Sequence, residues 1–201
     1  MSEPKPGKSE DHHRKIVSTR VAHAGWTKLI VAAVRSQDGR VVPHDIEDHG
    51  EAACVLPYHP RRRTAVLVRQ PRAPVLYAAD VQETLEAVAG IIERSEQPAA
   101  CARREAKEEA HLDIQAPEHV FTAWTMPGLS TERMYFYLAT YDGGARTPVA
   151  GGIAAEHETT TAVEFPLAEL ARMADAGELA DVKTLLLLQT LRLRQPQLFA
   201  E

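Results

Sequence analysis

The chain predicts a mixed α/β domain whose sheets are sandwiched by helices. Short apolar, β-branched runs recur both before and after one helix-favouring stretch at 98–110. Two further helical patterns, at 167–176 and 181–194, close the chain. No linker or internal repeat divides the 201 residues, enough for one sizeable domain with its own core. A sheet with a helical layer on each face is the stable way to bury such elements.

The elements follow in order. Residues 1–15 (MSEPKPGKSEDHHRK) are polar, with no apolar signal-peptide core, and are read as a disordered tail. Lys28–Arg35 (KLIVAAVR) is apolar and β-branched and runs into Ser36-Gln37-Asp38-Gly39. Asp-Gly is a strong hairpin signal, so 40–46 is predicted to return as its partner. Gly50 separates this hairpin region, 16–50, from a body spanning 51–201. There 52–56 (AACVL) and 65–69 (AVLVR) read as strands about a polar turn at 58–63, and Pro71 and Pro74 predict a loop over 71–82. A short strand at 84–89 leads into Gly90. Pro98 suits the first position of a helix, where its missing N–H does no harm, and 99–110 are nearly all helix formers. Residues 119–124 and Arg133–Thr140 are strands around the loop Thr125–Glu132, and 159–165 is another. The helix at 167–176 stops before Gly177; the helix at 181–194 carries buried leucines at 185–188.

Composition narrows the function. A net charge of −5 offers no electrostatic footprint for nucleic acid or an anionic membrane. No apolar run approaches the length of a membrane span, and a cytoplasmic protein is expected. Cys54 and Cys101 lie in unlike apolar contexts and read as buried free thiols rather than a disulfide or zinc pair. The nine histidines show no HExxH and no Cys/His ligand spacing, and Asp11-His12-His13 stands in a polar tail without supporting motifs.

The chemistry concentrates in 90–112, GIIERSEQPAACARREAKEEAHL. On a helix Glu105, Glu108 and Glu109 fall three and four apart and share one face. Like charges so placed destabilise a helix by about 0.2–0.5 kcal/mol per pair. Clustered carboxylates are what a hard divalent cation needs; Mg²⁺ takes oxygen ligands, commonly one or two carboxylates plus substrate phosphates. EAKEE alone would equally describe a solvated helix face. The residues around it argue otherwise: Gly90 lies six before Glu96, and Glu96 eight before Arg104.

This spacing resembles the Nudix box: glycine, five residues, Glu, seven residues, Arg-Glu, an aliphatic, any residue, Glu-Glu, any residue, Gly, an aliphatic. Gly90, Glu96, Arg104, Glu105, Glu108, Glu109 and Leu112 match, and Ala106 substitutes at the first aliphatic position. His111 stands where the family has glycine. That glycine ends the helix in a left-handed backbone, a region histidine enters more readily than most residues, at a cost of about 1 kcal/mol. Beyond the box, 85–93 (LEAVAGIIE), 127–133 (PGLSTER), 151–158 (GGIAAEHE) and 181–193 (DVKTLLLLQTLRL) are similar to segments of the ADP-ribose and GDP-mannose pyrophosphatase branch.

The resemblance implies a Nudix α/β/α sandwich with an N-terminal antiparallel strand region, and Mg²⁺-dependent hydrolysis of a nucleoside diphosphate sugar, with Mn²⁺ as an allowed substitute. ADP-ribose is the leading substrate on this reading and GDP-mannose the alternative. Glu105, Glu109, Glu108 and the Ala89 carbonyl are implied metal ligands; Arg104 orients the box glutamates, and Glu96 with Gly90 supports the loop before the helix. Glu156 or Glu158, on a loop opening with Gly151-Gly152, is implied as general base. Arg72, Glu86 and Glu132 are implied substrate contacts. In relatives the early hairpin carries a nucleotide-contacting arginine; here 43–50 (PHDIEDHG) offers His44, Asp45 and His49 instead. The branch also implies a homodimer joined through the N-terminal strands. The reading of a different class is a Nudix-fold binding module without catalysis; such modules usually lose box glutamates, and this chain keeps them.

Overall fold

Lys15–Ala24 (KIVSTRVAHA) forms a ten-residue strand, β1, in the computed structural model of the chain, which describes residues 13–144, 149–151 and 160–200. The sequence reading placed no strand before 28 and extended its tail to 15. Residues 1–12 lie outside the described residues, but Lys15 begins β1. This strand escapes a pattern search because all of its residues are exposed, so no apolar face marks it. Its antiparallel ladder with Lys28–Arg35 (β2) defines it instead, from Lys15↔Arg35 to Ala24↔Lys28. Val41–Asp48 (β3) completes a three-stranded sheet in the order β1-β2-β3. The predicted Asp-Gly hairpin joins β2 to β3. Gly39 takes φ +83°, and the Ser36 amide donates to the Arg40 carbonyl at 2.8 Å. Pro43, with no N–H to give, sits in β3 facing Ala33 on β2. Thr125–Glu132 belongs to the same compact unit: the Glu47 amide donates to the Leu129 carbonyl, and Glu47 in turn accepts from the Thr131 amide.

The second unit, Gly50–Trp124 with Arg133–Glu201, is built on an eight-stranded sheet. Its strands are Glu51–His59 (β4), Thr64–Gln70 (β5), Thr84–Glu86 (β6), Val88–Ile91 (β7), Glu118–Trp124 (β8), Arg133–Thr140 (β9), Val149–Gly151 (β10) and Thr160–Pro166 (β11). The order is β10-β11-β5-β4-β9-β8, with β6 on β5 and β7 on β4. Strands β4 and β9 run parallel, and the other pairs antiparallel.

Alternation along β4 shows why this unit has two cores. Ala52, Cys54, Leu56 and Tyr58 pack with Leu67, Phe136 and Leu138 against Leu167–Asp175 (α3) and Val182–Arg194 (α4), through Leu167, Leu170, Leu187, Leu188 and Leu191. Ala53 and Val55 point the other way, with Val66, Val68 and Tyr137, against Pro98–Ala110 (α2). The α2 contribution is small: Cys101, Ala102, Ala106 and Ala110. Burying a Leu or Val side chain stabilises by about 1.5–3 kcal/mol, so both faces are strongly held. The expected α/β/α layering is present. Both cysteines are free and buried. Among the described residues, no helix is long and apolar enough to cross a membrane.

Two local expectations are corrected. Residues 71–82 were predicted to be a loop, but Ala73–Ala79 is a short helix. Pro74 falls in its first turn, where proline is tolerated. The run at 84–89 is not one strand: β6 and β7 separate at Ala87, whose amide donates to the Thr184 hydroxyl of α4 at 2.6 Å.

Candidate active site

Strands β4 and β5 meet only at Tyr58↔Ala65 and His59↔Thr64 and then part. Beyond that point β6 takes the β5 side, through Val68↔Glu86, and β7 the β4 side, through Cys54↔Ala89 and Ala53↔Gly90. The chain therefore brings Ala89 and Gly90 alongside α2. Gly90 is required by space. A Cβ there would lie 1.7 Å from Glu105 Oε1 and 2.1 Å from its Cδ.

Arg104 organises the box. Its guanidinium grips Glu96 with two hydrogen bonds, Nε to Oε1 and Nη2 to Oε2, both 3.0 Å. Nη1 donates to Glu105 Oε1 at 2.6 Å and to Glu108 Oε2 at 3.0 Å, and Nη2 also reaches the Ile91 carbonyl at 3.1 Å. Hydrogen bonding to Arg104 holds the Glu96 carboxyl below its ordinary value, and that pairing raises the Arg104 pKa in turn. Glu96 Oε2 also accepts from the Glu93 amide at 3.0 Å, closing the loop before α2.

Glu109 is 3% exposed and Glu105 8%. One Glu109 oxygen accepts from the Ala89 amide at 3.3 Å, so the structure brings together Glu105, Glu109, Ala89 and Gly90. Among the described residues, no three His, Cys, Asp or Glu side chains stand grouped to hold a metal ion, and the Glu108 carboxylate is on Arg104. The residues present still fit a hard divalent cation. Two buried carboxylates lie one helical turn apart, beside a backbone position that a Cβ would obstruct. Glu156 and Glu158 lie outside the described residues.

His111 ends α2 with φ 51° and ψ 36°, the left-handed conformation expected from the glycine it replaces. The Leu112 amide closes the turn on the Ala106 carbonyl at 2.9 Å. The His111 imidazole reaches the Ala150 carbonyl of β10 at 2.7 Å.

Arg72 and Glu86, read separately from the sequence, form one cluster. Arg72 donates twice to Glu86, both at 2.9 Å, and Glu86 also accepts from the Thr84 hydroxyl. Lys183 joins it, 3.0 Å from Glu86 and 2.7 Å from Asp181, with its side chain 15% exposed. Lys183 was not singled out from the sequence; the signal available was one lysine beside an otherwise apolar VKTLLLL start of helix. Burial alone would raise the Glu86 carboxyl, but Arg72 and Lys183 hold it down to about 2. The sign follows from linkage. A carboxyl whose folded pKa lies below its ordinary 4.5 stabilises the fold above that value and loses the contribution as pH falls toward about 2. The expected loss across that window is about 3 kcal/mol. Denaturant unfolding as a function of pH checks it, and Glu86→Gln should flatten this part of the curve. An unchanged slope in the variant would place the acid sensitivity elsewhere.

Glu132 lies in the first unit, where it accepts from the Thr125 hydroxyl and stands 3.5 Å from His49 Nδ1. Burial and the nearby Glu105 push the Cys101 thiol up to about 12, so it stays protonated and is no competing nucleophile.

Comparison with known proteins adds a family-level match. A family model described as NUDIX domain matches residues 48–187. Similar proteins include a GDP-mannose pyrophosphatase of Cronobacter sakazakii, 37% identical over 161 residues, covering 79% of this chain and 83% of that protein. A GDP-mannose pyrophosphatase of Escherichia coli K12 is 33% identical over 159 residues, covering 78% of this chain and 82% of that protein. One from Escherichia coli O1:K1 is 32% identical over 160 residues, with 78% and 82% covered.

Proposed function

Because the chain belongs to the Nudix family, and is a hydrolase of phosphorus-containing anhydrides, we propose that it cleaves the pyrophosphate bond of GDP-mannose, giving GMP and mannose 1-phosphate. The observation that carries the chemistry is the buried Glu105–Glu109 pair on α2, packed against Gly90 and braced by Arg104. The substrate rests on the relatives, which bear GDP-mannose pyrophosphatase names over about four-fifths of both chains. They reverse the ranking drawn from sequence, where ADP-ribose came first, and ADP-ribose becomes the second reading.

Glu105 and Glu109, with the Ala89 carbonyl, are proposed to hold Mg²⁺, with Mn²⁺ as substitute. A divalent cation bound there neutralises phosphate oxygens and acidifies water. Arg104 keeps the Glu105 carboxylate from rotating away by a charge-assisted hydrogen bond. A carboxylate that binds a cation is a poor proton acceptor, so Glu156 or Glu158 is proposed to take the proton of the attacking water. Arg72, held by Glu86 and still 39% exposed, is proposed to meet the diphosphate or the terminal sugar.

A Mg²⁺-supplemented panel of GDP-mannose, ADP-ribose, ADP-glucose, NADH and nucleoside triphosphates tests the reading, with products identified by mass. GDP-mannose is expected to have the highest kcat/KM. Triphosphates turned over faster than every nucleotide sugar would overturn the branch assignment.

A homodimer is also proposed. The first unit exposes Ile16, Val21 and Val41 by half or more of their surface, and exposed apolar surface favours a partner. Light scattering should give twice the 22.1 kDa chain mass, and a monomer at micromolar concentration would exclude the proposal.

A further inference from the structure

The chain changes neighbours at a single residue between two parts of the site. Glu86 ends β6, laddered on β5 opposite Val68, and Val88 begins β7, laddered on β4 opposite Val55. Ala87 between them belongs to neither ladder and is completely buried. On one side of it Glu86 holds Arg72, the residue proposed to meet the substrate. On the other, the Ala89 amide reaches Glu109 at 3.3 Å and Gly90 adjoins Glu105. The way the backbone is held at Ala87 therefore bears on both parts at once.

One hydroxyl holds it. The Ala87 amide donates to the Thr184 hydroxyl at 2.6 Å, and that hydroxyl donates to Asp181 Oδ2 at 2.6 Å. A hydroxyl accepts and donates together, which a valine of the same shape cannot do. Thr184 is 0% exposed, so removing its hydroxyl leaves a buried amide without an acceptor. Asp181 is fixed in turn. It caps α4 through the Thr184 amide at 3.0 Å and pairs with Lys183 at 2.7 Å, and Lys183 reaches Glu86 at 3.0 Å. The first turn of α4 thus grips Glu86 and Ala87, each across 97 residues of sequence.

We propose that Thr184 is a positioning residue for the hydrolysis. By anchoring Ala87 it keeps Glu86 on Arg72, and Ala89 with Gly90 on the helix carrying Glu105 and Glu109, so that substrate grip and the carboxylate site are set from one point. The proposal rests on the Nudix reading above. Thr184 touches no reacting atom; it acts through the backbone of 86–90. It gives α4, whose leucines support the sheet, a share in the chemistry.

The test compares Thr184→Val, which keeps the shape and loses the hydroxyl, with Thr184→Ser, which keeps the hydroxyl. Leu187→Ala, at a buried apolar residue of the same helix, controls for lost stability alone. Three readouts are taken on each folded variant: kcat and KM for GDP-mannose, Mn²⁺ affinity of the free protein by electron paramagnetic resonance, and amide hydrogen exchange of the metal-free protein. In Thr184→Val, KM should rise and Mn²⁺ affinity fall, each by about 10-fold. The amides of 88–90 should exchange about 10-fold faster relative to those of β9. Serine should restore most of all three, and Leu187→Ala should lower the melting temperature and leave them unchanged. Wild-type values in a folded Thr184→Val overturn the proposal, as does a change in KM or in Mn²⁺ affinity without the other. A loss that serine does not rescue, or that Leu187→Ala reproduces, also overturns it. Should Thr184→Val not fold, Thr184→Cys, whose thiol is a weak partner, is read in the same way. If the wild-type protein turns over no nucleotide sugar, the Nudix substrate reading fails by itself, and Mn²⁺ affinity and amide exchange in Thr184→Val still decide for or against Thr184.

Discussion

Glu109→Gln is expected to lower kcat by about a thousandfold, near 4 kcal/mol of lost transition-state stabilisation, while the protein keeps its fold. Gln preserves volume and an acceptor for the Ala89 amide, now 3.3 Å from the carboxylate, but removes the negative charge. Glu109 isolates the effect better than Glu105. The Glu105 carboxylate also receives Arg104 Nη1 at 2.6 Å, so Glu105→Gln loosens the clamp as well as removing charge. Circular dichroism and a melting curve establish that the variant is folded, and single-turnover kinetics then read the chemical step. A folded Glu109→Gln that turns over like the wild type would remove this carboxylate from the reaction.

Gly90→Ala should be nearly as damaging, for a different reason. The new methyl would fall 1.7 Å from Glu105 Oε1, 2.1 Å from Cδ and 2.7 Å from Cγ. None of these separations is sustainable. The flexible end of Glu105 is the part that can yield, and it yields by leaving Arg104. Displacing a reacting-site group by about 1 Å can cost about 100-fold in rate, whereas overpacking of this kind costs about 1–3 kcal/mol of stability. The expected signature is therefore a large fall in kcat with a modest fall in melting temperature. Both quantities unchanged would mean that the close approach of Gly90 to Glu105 does not occur in solution.

How much of this was legible depends on where the information resides. Helix α2 was predicted with its bounds, because Pro98 marks a first turn and the carboxylate spacing is a local property of one helix. The left-handed His111 followed from the position it fills. Strands β2 and β9 were also read at their observed limits, since each is a continuous β-branched or aromatic run. Strand β1 was missed because its surface is exposed, and β10 because three residues carry no period. The pairing of Arg72 with Glu86 could not be read from a string. It depends on β5 and β6 aligning Val68 with Glu86. Lys183 joins from a helix almost a hundred residues later. The base and sugar of the substrate had no local signature at all, which is why ADP-ribose stood ahead of GDP-mannose until relatives were compared.

The alternation of β4 has a consequence for how this chain tolerates insertions and deletions. Strand side chains change faces at each residue, so losing one residue within 52–58 would exchange the two floors of the sheet. Leu56 and Tyr58, now facing the leucines of α3 and α4, would turn toward α2, which is seated on alanines and a cysteine. The same slip would move the β7 ladder by about 3.3 Å and carry Ala89 and Gly90 off the carboxylates they now adjoin. Length changes should therefore accumulate in the connections, such as the turn at 60–63, while β4 itself keeps its count of residues.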